Sequence, residues 1–239
     1  MMGKGRTLGV SLLPALLWIL IQCAVVLGFP PVMSGIGNIL SLLGVDTGEF
    51  YGFLEKNGSY CIYILMDVIM LIPAVLWFRR FPVRREKKEG RFFGISFRGI
   101  LLLLLAGLCL QLLSNLFLTL VFGIFPELME SYSQVLENLG MDSPTVLSLI
   151  YTVLVAPVTE ELIFRGLTLR ILEGAFSFWA ANILQALYFG IIHGNLVQGS
   201  YAFLAGMILG YLVRRKGTLA AGVLCHFGVN FSGILLGLL

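Results

Sequence analysis

Residues 97–123 read FRGILLLLLAGLCLQLLSNLFLTLVFG, a stretch whose one charged side chain, Arg98, stands near its start. A helix that crosses the hydrocarbon of a bilayer needs about 20 mostly apolar residues, so this stretch spans with room to spare. The same pattern recurs at about 8–28, 59–78, 146–171, 177–195, 198–213 and 218–239. The expected fold is therefore all-α: a polytopic transmembrane helical bundle of about seven spans, with six to eight compatible with the pattern. The sixth stretch is short and follows the tight turn His193-Gly194-Asn195-Leu196-Val197-Gln198-Gly199, so a re-entrant or broken element belongs there if anywhere.

Composition agrees. Of 239 residues, 58% are hydrophobic and 12% charged, and the mean hydropathy is +0.95. Water-soluble domains run about 45–50% apolar and about 25% charged. A disordered chain, a nucleic-acid binder and a small disulfide scaffold are excluded, and the spans leave no room for a second soluble domain. The 28 glycines suit helices that approach closely in lipid. Cys23, Cys61, Cys109 and Cys225 lie in apolar stretches without a C-x-x-C pair and read as small apolar residues. Lys4 and Arg6 ahead of Leu8 to Leu27 imitate a signal peptide. That apolar run exceeds the usual signal core of about 7–15 residues and lacks an A-x-A site, so a retained first span is expected.

Charge orients the bundle, because positively charged loops stay cytoplasmic. In a seven-span arrangement Lys4, Arg6, Arg79, Arg80, Arg84, Arg85, Lys87, Lys88, Arg91, Arg98, Arg170, Arg214, Arg215 and Lys216 share one side. Only Lys56 falls on the other, with Asp46, Glu49, Glu55, Glu127, Glu130, Glu137 and Asp142, while Arg165 lies inside a span. The expected N-terminus is cytoplasmic, and the basic loop from Arg79 to Arg98 should lie against anionic headgroups.

Ionisable residues inside spans cost about 2.5–3.5 kcal/mol each on insertion scales and usually face a functional interior. Here they are Asp67, Glu160, Glu161, Arg165, His193 and His226, which include both histidines of the chain. Glu161 and Arg165 form an i, i+4 pair that neutralises itself. A structural ion pair accounts for those two but not for Glu160. Pro157 lacks the N–H that would bond the Val153 carbonyl, loosening the helix one turn earlier. Asn182, Gln185, Phe189 and His193 share one stripe of the fifth span, and His226 and Asn230 share a face with Gly222, Gly233 and Gly237. Ala202, Gly206 and Gly210 form a small-residue ridge that reads as a packing seam. Asp67 has no evident partner in the sequence; Arg165 or a cavity are the alternatives.

A carboxylate that takes a proton from water, with imidazole and amide donors opposite, is what peptide hydrolysis requires. The same groups suit a divalent metal such as Zn2+, held by Glu160, His193 and His226 with one position left for water. No H-E-x-x-H occurs, so such a site would be assembled between helices. Both uses fit the sequence. A proton-coupled transporter using Asp67, Glu160 and the histidines is a further reading, weakened by the lack of an internal repeat.

The motifs E-E-x-x-x-R at Glu160, Glu161 and Arg165, F-x-x-x-H at Phe189 and His193, and H-x-x-x-N at His226 and Asn230 occur in order in three spans. In this the chain resembles the CPBP intramembrane proteases, which include type II CAAX prenyl endopeptidases and bacteriocin-processing or self-immunity proteins. The resemblance covers about 146–239, the expected catalytic core; residues 1–145 carry no matching motif. It implies an intramembrane endopeptidase with Glu160 as water-activating base, His193 as its partner, and His226 with Asn230 as oxyanion stabilisers. Glu161, Arg165 and Phe189 would support them. Its implied partners are a membrane-embedded protein or peptide substrate and the lipid bilayer, with no nucleic acid, and its implied place is the bacterial cell membrane. The alternative is a non-proteolytic immunity or scaffold protein. At a rise of about 1.5 Å per residue, a fifth span starting at Ser177 sets His193 roughly 10 Å nearer the outer face than Glu160 and His226. Deeper placement, starting nearer Ala180, would halve that gap.

Overall fold

The computed structural model describes residues 3–80, 95–138 and 144–237. They form eight helices and, among the described residues, no strand: α1 (Lys4–Leu42), α2 (Gly48–Arg80), α3 (Phe97–Ile124), α4 (Glu127–Asn138), α5 (Val146–Glu173), α6 (Phe178–Ile191), α7 (Leu196–Lys216) and α8 (Leu219–Gly237). Six of these, all but α4 and α6, are long and apolar enough to cross a membrane. Large apolar side chains such as Leu101, Leu105, Leu112, Leu116 and Leu120 of α3 face outward. That outer surface belongs in hydrocarbon, and the chain is a polytopic helical bundle.

Six such helices fall within the expected six to eight, but the place of the short element needs correction. The short element is the fifth stretch, not the sixth: α6 has 14 residues, about 21 Å at the helical rise, against about 30 Å of hydrocarbon. The sixth stretch instead forms the 21-residue α7, started by Asn195, whose side chain accepts from the N–H groups of Val197 and Gln198. It ends at Gly217 in the left-handed conformation, where glycine is favoured. Hydropathy also understates the first hairpin. α1 runs on to Leu42 and α2 begins at Gly48, so both helices continue well past their apolar cores. A helix needs only backbone hydrogen bonds to continue, and apolar content does not mark its ends. Gly37 lets the projecting end of α1 meet the Tyr51 ring, which a side chain at that position would strike. Of the basic loop, Arg84, Arg85, Lys87, Lys88 and Arg91 lie outside the described residues, as does Asp142.

α5 is the central element, with wide π-helical turns at Tyr151–Val155 and Leu162–Thr168. Residues 161–169 are all buried. α1 and α2 pack on one side of it and α6 and α8 on others. α3 covers α8 at a crossing where Gly107 meets Gly228 and the Cys225 carbonyl so closely that neither glycine has room for a β-carbon. The expected seam on α7 is confirmed: Gly206 lies against Ala186 and Phe189, and Gly210 against Asn182. An apolar cavity of about 300 Å³ between α3 and α7 is lined by residues such as Leu110, Phe117, Leu204 and Met207, and none of the expected site residues lines it.

Candidate active site

Pro157 shapes the first part of the site. In the wide turn before it the backbone bonds five residues back, as the Ala156 N–H does to the Tyr151 carbonyl. Continuing that register, Pro157 would serve the Thr152 carbonyl, but it has no N–H to give. The Asn230 amide fills the gap, its Nδ2 donating to the Thr152 oxygen at 2.7 Å. The wide turn thus moves the freed carbonyl one residue from the Val153 expected for a regular α-helix. It also ties α8 to α5 about two turns before the carboxylates. Such wide turns recur at functional sites in helices.

Glu161 and Arg165 form the expected i, i+4 pair, Nη1 to Oε1 at 2.8 Å, with both side chains fully buried. The same oxygen faces His226 Nδ1 at 3.1 Å. On the other edge of that ring, His226 Nε2 lies 3.6 Å from Glu160 Oε2. His226 therefore stands between two adjacent carboxylates. Their exposure differs: the Glu160 side chain is 14% exposed and that of Glu161 is 0%. Only Glu160 of the pair is reachable by water.

Phe189 is the aromatic floor. Its ring lies edge to face with His193 at 4.9 Å, His226 at 6.0 Å and Phe164 at 5.1 Å between centroids. The Arg165 guanidinium sits 4.4 Å from its centroid. That cation–π contact partly compensates Arg165 Nε and Nη2, which have no hydrogen-bond partner among the described residues. Phe189 thus brings the two histidines to one surface although they come from different helices.

His193 stands just beyond the end of α6 and is half-buried. Its Nδ1 donates to the Phe189 carbonyl at 2.7 Å, so the neutral ring carries its lone pair on Nε2. α6 begins at Phe178 with Ser177 as its cap, the shallower placement. Asn182 and Gln185, expected on the same polar stripe, do not reach the carboxylates. Asn182 donates to the Met207 carbonyl at 2.9 Å and Gln185 to the Gly206 carbonyl at 3.0 Å, fastening α6 to α7.

Among the described residues no three His, Cys, Asp or Glu side chains are grouped to hold a metal ion. Both His226 nitrogens are directed at carboxylate oxygens. The expected trio of Glu160, His193 and His226 does not form such a group among the described residues.

The motif-free half contributes as well. Asp67 on α2 is fully buried and accepts from the indole Nε1–H of Trp18 on α1 at 2.8 Å, not from Arg165. Trp18 also meets Phe164 edge to face, with centroids 6.4 Å apart. Tyr63 of α2 tilts against Tyr151 at the start of α5, at 5.4 Å. Sequence reasoning singled out Asp67 but missed Trp18; an indole among many apolar residues gives no sign of its partner. It also missed the cradle at Gly222, where a β-carbon would collide with Glu161 Oε2.

Glu160, His226, His193 and Asn230 thus lie within a bundle whose long helices are apolar enough to cross a membrane. Residues 142–232 match the family described as Type II CAAX prenyl endopeptidase Rce1-like. The resemblance read from the three motifs therefore holds over that stretch. The chain is 30% identical over 97 residues to an uncharacterized 24.3 kDa protein of Escherichia coli, covering 38% of this chain and 45% of that protein. It is 31% identical over 99 residues to CAAX prenyl protease 2 of Homo sapiens, covering 33% of this chain and 30% of the human protein. The chain thus spans less than half the length of these curated relatives. No solved structure matches it.

Proposed function

We propose that the chain is an intramembrane endopeptidase that hydrolyses a peptide bond of a membrane-associated protein or peptide, with Glu160 activating the water. The observation that carries this reading is the placement of Glu160. It is the only one of the two adjacent carboxylates with access to water, and it faces His226 Nε2 at 3.6 Å. The family match over 142–232 supports the protease class.

In the reaction, Glu160 takes a proton from water as the oxygen attacks the scissile carbonyl. The His193 Nε2 lone pair, fixed by the bond from Nδ1–H to the Phe189 carbonyl, assists in holding that water. Asn230 Nδ2 carries two hydrogens, one of them given to Thr152; the second stabilises the developing oxyanion. The C–N bond then breaks, and Glu160 returns its proton to the leaving amine. Glu161 and Arg165 hold α5 in place throughout.

The substrate class suggested by the name of the human relative is a prenylated CAAX-type protein. The E. coli relative supports a bacterial cell membrane as the setting, and the charge distribution supports a cytoplasmic N-terminus. Residues 146–239 act as the catalytic core. Residues 1–145 brace it, through Trp18 and Asp67 above all.

The test is Glu160→Gln. General-base catalysis is worth about 10²–10⁴-fold, so cleavage of a membrane peptide by the purified protein should fall by at least about 10². Unfolding in detergent should be unchanged. Full activity in that variant would falsify the reading, whereas a scaffold would keep its phenotype without any cleavage.

A further inference from the structure

Trp18 stands in the half of the chain that carries no motif, yet it touches both a buried carboxylate and the aromatic core of the site. Its indole Nε1–H donates to Asp67 Oδ1 at 2.8 Å, and Asp67 is 0% exposed. Ionisable residues inside membrane helices are costly and are kept where they serve a purpose. From Trp18 the rings continue without a break. Trp18 meets Phe164 with centroids 6.4 Å apart and planes at 73°, and Phe164 meets Phe189 at 5.1 Å and 65°. Phe189 in turn stands at 88° to His193, at 4.9 Å, and at 88° to His226, at 6.0 Å. All four contacts fall in the edge-to-face arrangement and the range of about 4.5–7 Å that aromatic pairs favour. Phe164 is 0% exposed and Phe189 2%, and a ring enclosed on every side turns only if its neighbours move. A hydrogen bond between α1 and α2 is thus joined by contact to the floor beneath both histidines.

We infer that Trp18, held by Asp67, is a positioning residue for His193 and His226, acting through Phe164 and Phe189. This deepens the protease reading and rests on it for its catalytic meaning. Filling space would need no carboxylate: an apolar side chain at position 67 occupies the same volume but leaves the indole's rotation to packing alone. The hydrogen bond selects one rotation, and each following ring takes its orientation from the one before. Arg165 also rests on Phe189, 4.4 Å from its centroid. Loss of the Trp18–Asp67 bond therefore displaces the floor without removing it. The first two helices would then set how well the site works, although no side chain of theirs carries a motif.

Position and stability separate in the double variant Trp18→Phe with Asp67→Leu, which removes both polar groups of the bond and so leaves nothing buried unpaired. Protein labelled with ¹³C-histidine in nanodiscs, without substrate, gives ring signals for His193 and His226, the chain's only histidines, and a His193→Gln sample assigns them. The double variant should move both sets of signals, because the ring current of Phe189 reaches both imidazoles. In a cleavage assay its kcat should fall about 10²-fold with KM unchanged, as small displacements at a reacting centre do. Asp67→Asn keeps an oxygen for the indole and should retain the wild-type signals and kcat. Phe164→Leu interrupts the rings one step further on and should move the same signals. Added to the double variant it should cost little more, since side chains in one chain of contacts are not additive. Wild-type signals or wild-type kcat in a folded double variant overturn the inference, as do losses that multiply. If that variant does not fold, unmoved histidine signals in Phe164→Leu, or moved ones in Asp67→Asn, sink it instead. The signals need no substrate, so their failure defeats the positioning role alone, whereas retained cleavage in Glu160→Gln defeats the proposed function alone.

Discussion

The Glu161 carboxylate rests on the bare α-carbon of Gly222, where a β-carbon would collide with Oε2, an oxygen without a hydrogen-bond partner among the described residues. One glycine on α8 thus sets the position of a charged group on α5. Gly222→Ala is expected to cost about 1–3 kcal/mol, the usual penalty of overpacking. It should also slow peptide cleavage about 10²-fold, as small misplacements near a reacting centre do. Thermal unfolding in detergent and turnover on the same preparation measure the two effects. Wild-type values for both would mean that the cradle is loose.

Arg165 is fully buried and supplies the positive charge for Glu161. Arg165→Met strands that carboxylate and should destabilise the protein by about 3–5 kcal/mol. Adding Glu161→Leu should recover most of the stability, because a buried pair is replaceable by apolar side chains of similar volume. Denaturant titration of the two variants decides the point. If the double variant is no more stable than the single one, the pair is not the source of the cost.

Asn230 and Pro157 should be energetically coupled through Thr152. Asn230→Ala leaves the Thr152 carbonyl unpaired and is expected to cost about 1–3 kcal/mol. Pro157→Ala returns an N–H at the residue five positions on. In that background the cost of Asn230→Ala should shrink, with a coupling energy of about 0.5–3 kcal/mol in a double-mutant cycle. Strict additivity would refute the wide-turn explanation.

Trp18 donates to Asp67, whose second oxygen has no hydrogen-bond partner among the described residues. Trp18→Phe should therefore destabilise by about 1–3 kcal/mol through the orphaned carboxyl, beyond any loss of packing. Asp67→Leu on top of it should restore stability, and unfolding curves of the two variants read the difference. A further loss in the double variant would show that Asp67 has another dependent partner.

Much of this was legible from residue order. Long apolar runs with charges at their ends announce spans, because hydrocarbon tolerates little else. Residues 97–123 and α3 agree within a residue at the C-terminal end. The pairing of Glu161 with Arg165 was legible too, since helical spacing alone brings residues four apart together. Less was visible where helices continue beyond their apolar cores, as α1 and α2 do. α4 was not foreseen at all: it is an amphipathic 12-residue helix without an apolar run. The polar stripe on α6 shows the opposite failure. Its four residues do share a face, but Asn182 and Gln185 spend their amides on α7 while Phe189 and His193 serve the site.

Sequence by itself determined the helical class, the membrane-spanning length of most elements and the short list of polar groups inside them, because each follows from local composition and period. The tertiary structure alone decided which oxygen faces which nitrogen. Only the packing of α8 against α5 puts His226 between Glu160 and Glu161, gives Thr152 its donor and leaves Glu161 its space at Gly222. These relations join residues far apart in the chain, and no local rule specifies the rotation and depth at which two helices meet.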